Sequence, residues 1–187
     1  MKRSFDPATC AVLLLSIALN VALTFKVHHL NRLMALNQAP VVATGVHFPE
    51  MIARNLEEQP QTIRFDSTGK PSVLYVFSPT CHWCAKNLEN IKKLYSLKHA
   101  NFEFVGISLS PYNLQQYVSQ TNFPMKVVES PAESDIKVLH LGSTPETIVI
   151  DSSGTISKVW SGAYTSENSR EIEHFFQIPK NSLTRVQ

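Results

Sequence analysis

Cys81 and Cys84 enclose a histidine and a tryptophan in the run Cys81-His82-Trp83-Cys84. In a helix, residues three apart lie one turn along the same face, so the two thiols can close into a disulfide. The run follows the apolar stretch Val73–Phe77 and opens a segment of helical periodicity, which puts Cys81 at a helix N-terminus. There the free N–H groups and the helix dipole favour thiolate over thiol, lowering the pKa and making Cys81 the attacking sulfur. Cys84, deeper in the helix, would resolve the mixed disulfide that Cys81 forms with a partner. His82, when protonated, would stabilise the neighbouring thiolate through space and make the couple more oxidising. Trp83 offers a flat apolar rim for gripping a partner segment. Half of a zinc site is the competing chemistry. Zinc needs four ligands, and neither a second C-x-x-C nor a histidine pair at zinc-finger spacing occurs, so no metal is expected.

The elements around this run alternate. Val73–Phe77 reads as a strand covered on both faces, with Gly69-Lys70-Pro71 turning into it. A helix from about Cys81 to Leu97 carries Cys84, Leu88, Ile91 and Tyr95 along one face. Phe102–Leu109 is the next strand, and Ser110-Pro111 supplies an N-cap and first-turn proline for a short helix. A weaker strand at Met125–Val128 precedes a second short helix opened by Ser130 in a capping box with Glu133. Thr147–Ile150 and Ile156–Trp160 form a hairpin around Asp151-Ser152-Ser153-Gly154. A last helix, Ser166–Gln177, buries Ile172, Phe175 and Phe176. This order implies an α/β fold, a mixed sheet with helices on both faces.

The run from Phe77 to Cys84 after an apolar strand, and later Gly142-Ser143-Thr144-Pro145-Glu146-Thr147-Ile148-Val149-Ile150-Asp151, resembles the thioredoxin-like fold. Within it the chain is similar to the membrane-anchored, extracytoplasmic thiol–disulfide oxidoreductases of bacteria, the TlpA/ResA-like group. The resemblance covers about residues 46–178, with Asn101–Ala132 as the central insertion of that group. It implies that the Thr144-Pro145 bond is cis and forms the substrate-docking backbone beside the sulfurs. It implies a protein-disulfide reductase, whereas His82 and a missing acid pull toward oxidase or isomerase. Relatives commonly carry proline before the second cysteine, and an acid three residues after it or on the preceding strand. Here those places hold Trp83, Asn87 and Tyr75. Glu146, next to Pro145, is the candidate substitute as proton acceptor.

The front of the chain reads as a membrane segment. Ala8–Phe25 carries no charge and spans roughly 27 Å as a helix. With no A-x-A cleavage signal after it, an uncleaved anchor is favoured over a signal peptide. The expected organisation is an anchor over 1–25, a juxtamembrane stalk over 26–45, the thioredoxin-like domain over 46–178 and a tail over 179–187. By the resemblance, the domain faces the periplasm from the bacterial inner membrane. Its partners would be client proteins with cysteine pairs, including those awaiting haem or copper, and an upstream membrane or periplasmic electron donor. The chain has 187 residues, 43% apolar and 17% charged, with a formal net charge of +2 and no long basic run, which argues against nucleic acid. No cofactor beyond the Cys81–Cys84 disulfide is expected. The alternative is a non-enzymatic Cu(I) carrier using Cys81 and Cys84, with Met125 or His82 as further soft ligands. A peroxidase fits less well, because YVFSPT before Cys81 lacks the leading proline of the peroxidatic pattern.

Overall fold

The computed structural model describes residues 7–37, 44–129, 131–139 and 141–186. They divide into two units, Met1–Pro40 and Val41–Gln187. The first contains one helix, α1 (Pro7–Asn37), which runs beyond the expected anchor into the stalk. Among the described residues no helix is long and apolar enough to cross a membrane.

In the second unit the elements run β1 (Glu50–Arg54), β2 (Pro60–Arg64), β3 (Ser72–Phe77), α2 (His82–Lys98), β4 (Glu103–Ser108), α3 (Leu114–Thr121), β5 (Lys126–Glu129), α4 (Glu133–Val138), β6 (Glu146–Ile150), β7 (Ile156–Ser161) and α5 (Ser166–Phe175). The sheet order is β2-β1-β5-β4-β3-β6-β7. All of β3 is buried, as its unbroken apolar run requires. It pairs in parallel with β4 and antiparallel with β6, so the sheet is mixed.

The two faces of β3 lead into two cores. Val73, Tyr75 and Phe77 pack with Cys84, Ile91 and Leu94 of α2 and with Ile172 and Phe176 at α5. Leu74 and Val76 point the other way, toward Ile148, Ile150, Leu139 and Leu141. Gly106 on β4 lets aromatic rings approach the first face. A methyl there would meet the Phe123 ring at 2.9 Å and the Phe77 ring at 3.2 Å, the pair that stacks at 4.8 Å.

Several local expectations need correcting. The β1–β2 hairpin carries no strand pattern in the sequence, because Glu50–Arg54 runs Met51, Ile52 and Ala53 together instead of alternating and Pro60–Arg64 has only Ile63. Asn55 closes the turn: its Oδ1 accepts from Glu57 N–H at 3.1 Å and Gln59 N–H at 2.8 Å. Helix α3 starts not at Ser110-Pro111 but after Asn113, a left-handed residue; Ser110 instead accepts from Tyr112 N–H in a local turn. Ser130, the expected cap of α4, lies outside the described residues, and the capping position is Ala132. Strand β6 begins one residue early, at Glu146.

The domain also reaches beyond residue 178. Leu183 is buried in the core, its N–H donates to Glu173 Oε1 at 3.0 Å, and Val186 N–H donates to the Tyr164 carbonyl at 3.0 Å. Residues 179–186 are a strap on the domain, not a loose tail. Leu183→Ala should therefore cost about 2–4 kcal/mol of unfolding free energy. Chemical denaturation measures it; a change within 0.5 kcal/mol, about the surface-substitution range, would show the strap to be peripheral.

Candidate active site

Strand β3 delivers the chain to the site, and a turn over Ser78–Thr80 reverses it into α2. Cys81 N–H donates to the Ser78 carbonyl at 3.1 Å, and the Ser78 and Thr80 hydroxyls share a hydrogen bond of the same length. Cys81 is the N-cap of α2, with extended backbone at φ −77° and ψ 112°. Its Sγ accepts from Cys84 N–H at 3.0 Å, the place an N-cap oxygen would take. The sulfur thus sits where a helix N-terminus stabilises negative charge, and the first turn holds no acid to oppose it.

Cys81 and Cys84 are joined as a disulfide, their Cα atoms 5.2 Å apart. Cys81 is half-buried, whereas Cys84 is 1% exposed. The outer sulfur can meet a partner and the inner one can meet only Cys81. His82 is exposed and its ring packs edge-on against Trp83, centroids 5.7 Å apart. Trp83 is 48% exposed, with Lys86 Nζ 5.0 Å from its ring centroid. An apolar plate with the Lys86 ammonium over it therefore stands beside the sulfurs.

The other wall comes from the segment before β6. Thr144-Pro145 is cis, as the resemblance implied. Cys81 Sγ lies 3.4 Å from the Thr144 carbonyl oxygen, so this backbone faces the outer sulfur directly. The Pro145 carbonyl accepts from Gly162 N–H at 2.8 Å, pinning the segment to β7.

Glu146 is 2% exposed and held by Ser161 Oγ, which donates to its Oε1 at 2.8 Å; among the described residues its Oε2 has no partner. Burial pushes its carboxyl above the ordinary value, against the opposing effect of the Ser161 hydrogen bond. Its position does not suit a proton acceptor for Cys84. Glu146 lies opposite Val76 in the β3–β6 register, and Val76 belongs to the core on the far side of the sheet from Cys84. Side chains directly opposite in an antiparallel pair share a face.

Beneath Cys84 the structure places amides. Asn87 and Asn90 are 0% and 3% exposed on the core stripe of α2. Asn87 Oδ1 accepts from Tyr164 N–H at 3.0 Å, and its Nδ2 donates to Tyr75 Oη at 3.5 Å. Asn90 joins Asn87 to Thr184 of the strap. Asn90, Tyr164 and Thr184 were not singled out in the sequence, although a buried asparagine at i and i+3 beside Leu88 and Ile91 was the available sign. Among the described residues no group of three His, Cys, Asp or Glu side chains could hold a metal, and Met125 is packed in the core at 7% exposed. The redox group of the site is the cysteine pair.

Residues 44–159 match the AhpC/TSA family. A curated relative, the thiol–disulfide oxidoreductase ResA of Geobacillus thermodenitrificans, is 20% identical over 133 residues, covering 70% of this chain and 76% of that one. Two solved structures share the fold. A Chlorobium tepidum protein assigned as the thiol:disulfide interchange protein DsbE superposes with a TM-score of 0.61 at 14% identity, covering 73% of this chain and 97% of that one. StoA of Bacillus subtilis gives 0.53 at 17% identity, covering 67% and 98%.

The buried carboxyl yields a pH prediction. Because the folded-state pKa of Glu146 is raised, its protonated form favours folding, and that contribution is lost as pH rises from the ordinary value of 4.5 through the folded value. Glu146→Gln should unfold at a higher temperature than wild type at neutral pH, with the difference closing below pH 4.5. Thermal melts across pH test this; a constant difference at all pH values contradicts it.

Proposed function

The chain belongs to the AhpC/TSA family, and we propose that its Cys81–Cys84 pair exchanges disulfides with the cysteines of other proteins. The observation that carries this reading is Cys81 as the N-cap of α2, half-buried, hydrogen-bonded by Cys84 N–H and facing the Thr144 carbonyl beside cis Pro145. In the reducing direction the Cys81 thiolate attacks one sulfur of a client disulfide, and the other leaves as a thiolate. Cys84, as thiolate, then attacks Cys81 Sγ and expels the second client sulfur. Two electrons pass to the client and the protein is left as the Cys81–Cys84 disulfide. A donor dithiol must restore it. Extended client backbone can lie against Thr144 and Pro145, with Trp83 covering apolar side chains next to the client cysteine.

The direction we assign is client reduction, on the resemblance to the TlpA/ResA-like group. Its test is the reduction potential of the pair. A value near or below about −270 mV fits a reductant, and one nearer about −120 mV makes the protein a disulfide donor.

We further propose that α1 anchors the domain in the bacterial cytoplasmic membrane, with the catalytic unit on the periplasmic side, where disulfide chemistry persists. Ala8–Phe25 is free of charge, and Leu13, Leu14, Leu15, Ile17, Leu19 and Leu23 are all exposed on the helix. Two of its polar side chains bond to the helix backbone: Asn20 Nδ2 donates to the Ser16 carbonyl at 2.7 Å and Thr24 Oγ1 to the Asn20 carbonyl at 2.8 Å. Satisfied polar groups are what hydrocarbon demands. An anchored enzyme would serve clients close to the membrane, such as proteins whose cysteine pairs await haem or copper. The full chain should stay with membranes through carbonate extraction, and its recovery in the soluble fraction would remove the anchor.

Two variants test the exchange itself. Cys81→Ser should abolish turnover of a protein disulfide, and Cys84→Ser should accumulate a mixed disulfide visible on a non-reducing gel. Exchange that survives in the Cys81→Ser protein overturns the assignment.

A further inference from the structure

The hydrogen bonds under α2 have only one consistent set of directions. Thr184 offers Asn90 both main-chain groups: its N–H donates to Asn90 Oδ1 at 2.7 Å, and its carbonyl accepts from Asn90 Nδ2 at 2.8 Å. A main-chain N–H can only donate and a carbonyl only accept, so the Asn90 amide has one orientation. Its Nδ2 also reaches Asn87 Oδ1 at 3.2 Å. Asn87 Oδ1 takes a second donor, Tyr164 N–H at 3.0 Å, which fixes the Asn87 amide in turn. Its NH2 end must then face Tyr75, and Tyr75 Oη must accept, at 3.5 Å. The Tyr75 hydroxyl proton is therefore directed away from Asn87 and, among the described residues, meets no other acceptor.

Tyr75 and Cys84 belong to one packed cluster, and Cys84 lies one helical turn before Asn87. Of the other groups facing that space, the Tyr117 hydroxyl is, among the described residues, also buried without a partner, on a ring stacked against Phe77 at 5.6 Å. The Tyr164 hydroxyl is paired with Thr147 at 2.9 Å, Tyr95 and Tyr117 lie at the cluster's margin, and Glu173 of α5 accepts from Leu183 N–H. Cys81 is the partner sulfur, His82 and Lys86 are on the exposed start of α2, and Glu146 is across the sheet.

We propose that the Tyr75 hydroxyl donates a hydrogen bond to the Cys84 sulfur in the resolving step, and that Thr184, Asn90 and Asn87 turn it there. This rests on the disulfide-exchange reading above. In that step the proton lost by Cys84 S–H ends on the departing client sulfur, and the Cys84 thiolate accepts the Tyr75 hydrogen bond and attacks Cys81 Sγ. The Cys81–client sulfur bond breaks, and the client sulfur leaves as a thiolate that takes up a proton. Tyr75 keeps its own proton throughout. Burial holds the phenol far above its ordinary value of 10.0, so it remains a donor at every pH at which thiols react. A fixed neutral donor thus does, by stabilising the anion, what a carboxylate elsewhere does by accepting the proton.

The test uses the reduced full chain with Cys10→Ser, so that only the pair reacts, and dithiobis(nitrobenzoate) as the disulfide. The first coloured thiol released reports attack by Cys81, and the second reports resolution by Cys84. Tyr75→Phe keeps the ring that stacks on Phe77 at 6.0 Å and removes only the hydroxyl. It should slow the second release at neutral pH about tenfold, and raise the pH midpoint of that phase by about one unit, with the first release unchanged. Asn87→Ala, which removes the amide that turns the Tyr75 hydroxyl, should shift the same phase in the same direction. An unaltered pH profile of the second phase in Tyr75→Phe overturns the proposal, as does equal slowing of both phases. A wild-type protein with no first release would instead overturn the exchange reading itself.

Discussion

The antiparallel pairing of β3 with β6 is the constraint from which the site follows. Val76 pairs with Glu146 and Tyr75 with Thr147, so the end of β3 and the start of β6 meet at one edge of the domain. From that edge β3 runs through a tight turn into α2, and β6 is entered through Thr144-Pro145. The N-terminus of the helix and the Thr144-Pro145 backbone therefore face each other across the sulfur. No other pair of elements needs to move to assemble the site, since Cys81 Sγ already lies 3.4 Å from the Thr144 carbonyl. A one-residue slip of this register would exchange the side chains of the two faces and bury Thr147 among aliphatics.

The same pairing separates two polar environments that adjacent sequence positions would seem to share. Glu146 and Thr147 are neighbours in the chain, yet one belongs with Ser161 and the far core and the other with Tyr164 beneath α2. The side of the sheet that carries the sulfurs holds hydroxyls and amides. Burying a network of this kind is costly unless each member is satisfied. Asn87 and Asn90 are satisfied from main-chain groups of Tyr164 and Thr184, which is why the strap is as much part of the active-site helix as of the C-terminus. Leu183 supplies the apolar contact that holds these polar partners in register.

Much of this was readable in the residues. The apolar run before Cys81, the C-x-x-C spacing and the hairpin around Asp151 each carry a local signal, and β3, α2, β6 and β7 lie where those signals put them. The β1–β2 hairpin carries no such signal. It is an edge pair, exposed on alternate positions, and only tertiary pairing with β5 makes it part of the sheet. The start of α3 was misplaced because Ser110 and Pro111 serve a turn as readily as a cap. Glu146 shows a different limit. A residue next to cis Pro145 looks close to the sulfurs in sequence, but strand alternation decides its face, and that depends on which residue of β6 opposes which residue of β3.

Asn87 illustrates how a polar substitution can change chemistry without emptying a site. Amides are recognised by direction: an oxygen that must accept and a nitrogen that must donate. Once Tyr164 N–H and Asn90 occupy the oxygen, the nitrogen has one place to go and the neighbouring phenol loses its freedom to rotate toward it. A carboxylate at that position would accept from every neighbour and leave the phenol's proton engaged. The hydrogen-bond polarity around the inner cysteine is thus set by an obligate main-chain donor several elements away in sequence. Such information is absent from any local pattern and arises only when the strap, the helix and the strand are packed together.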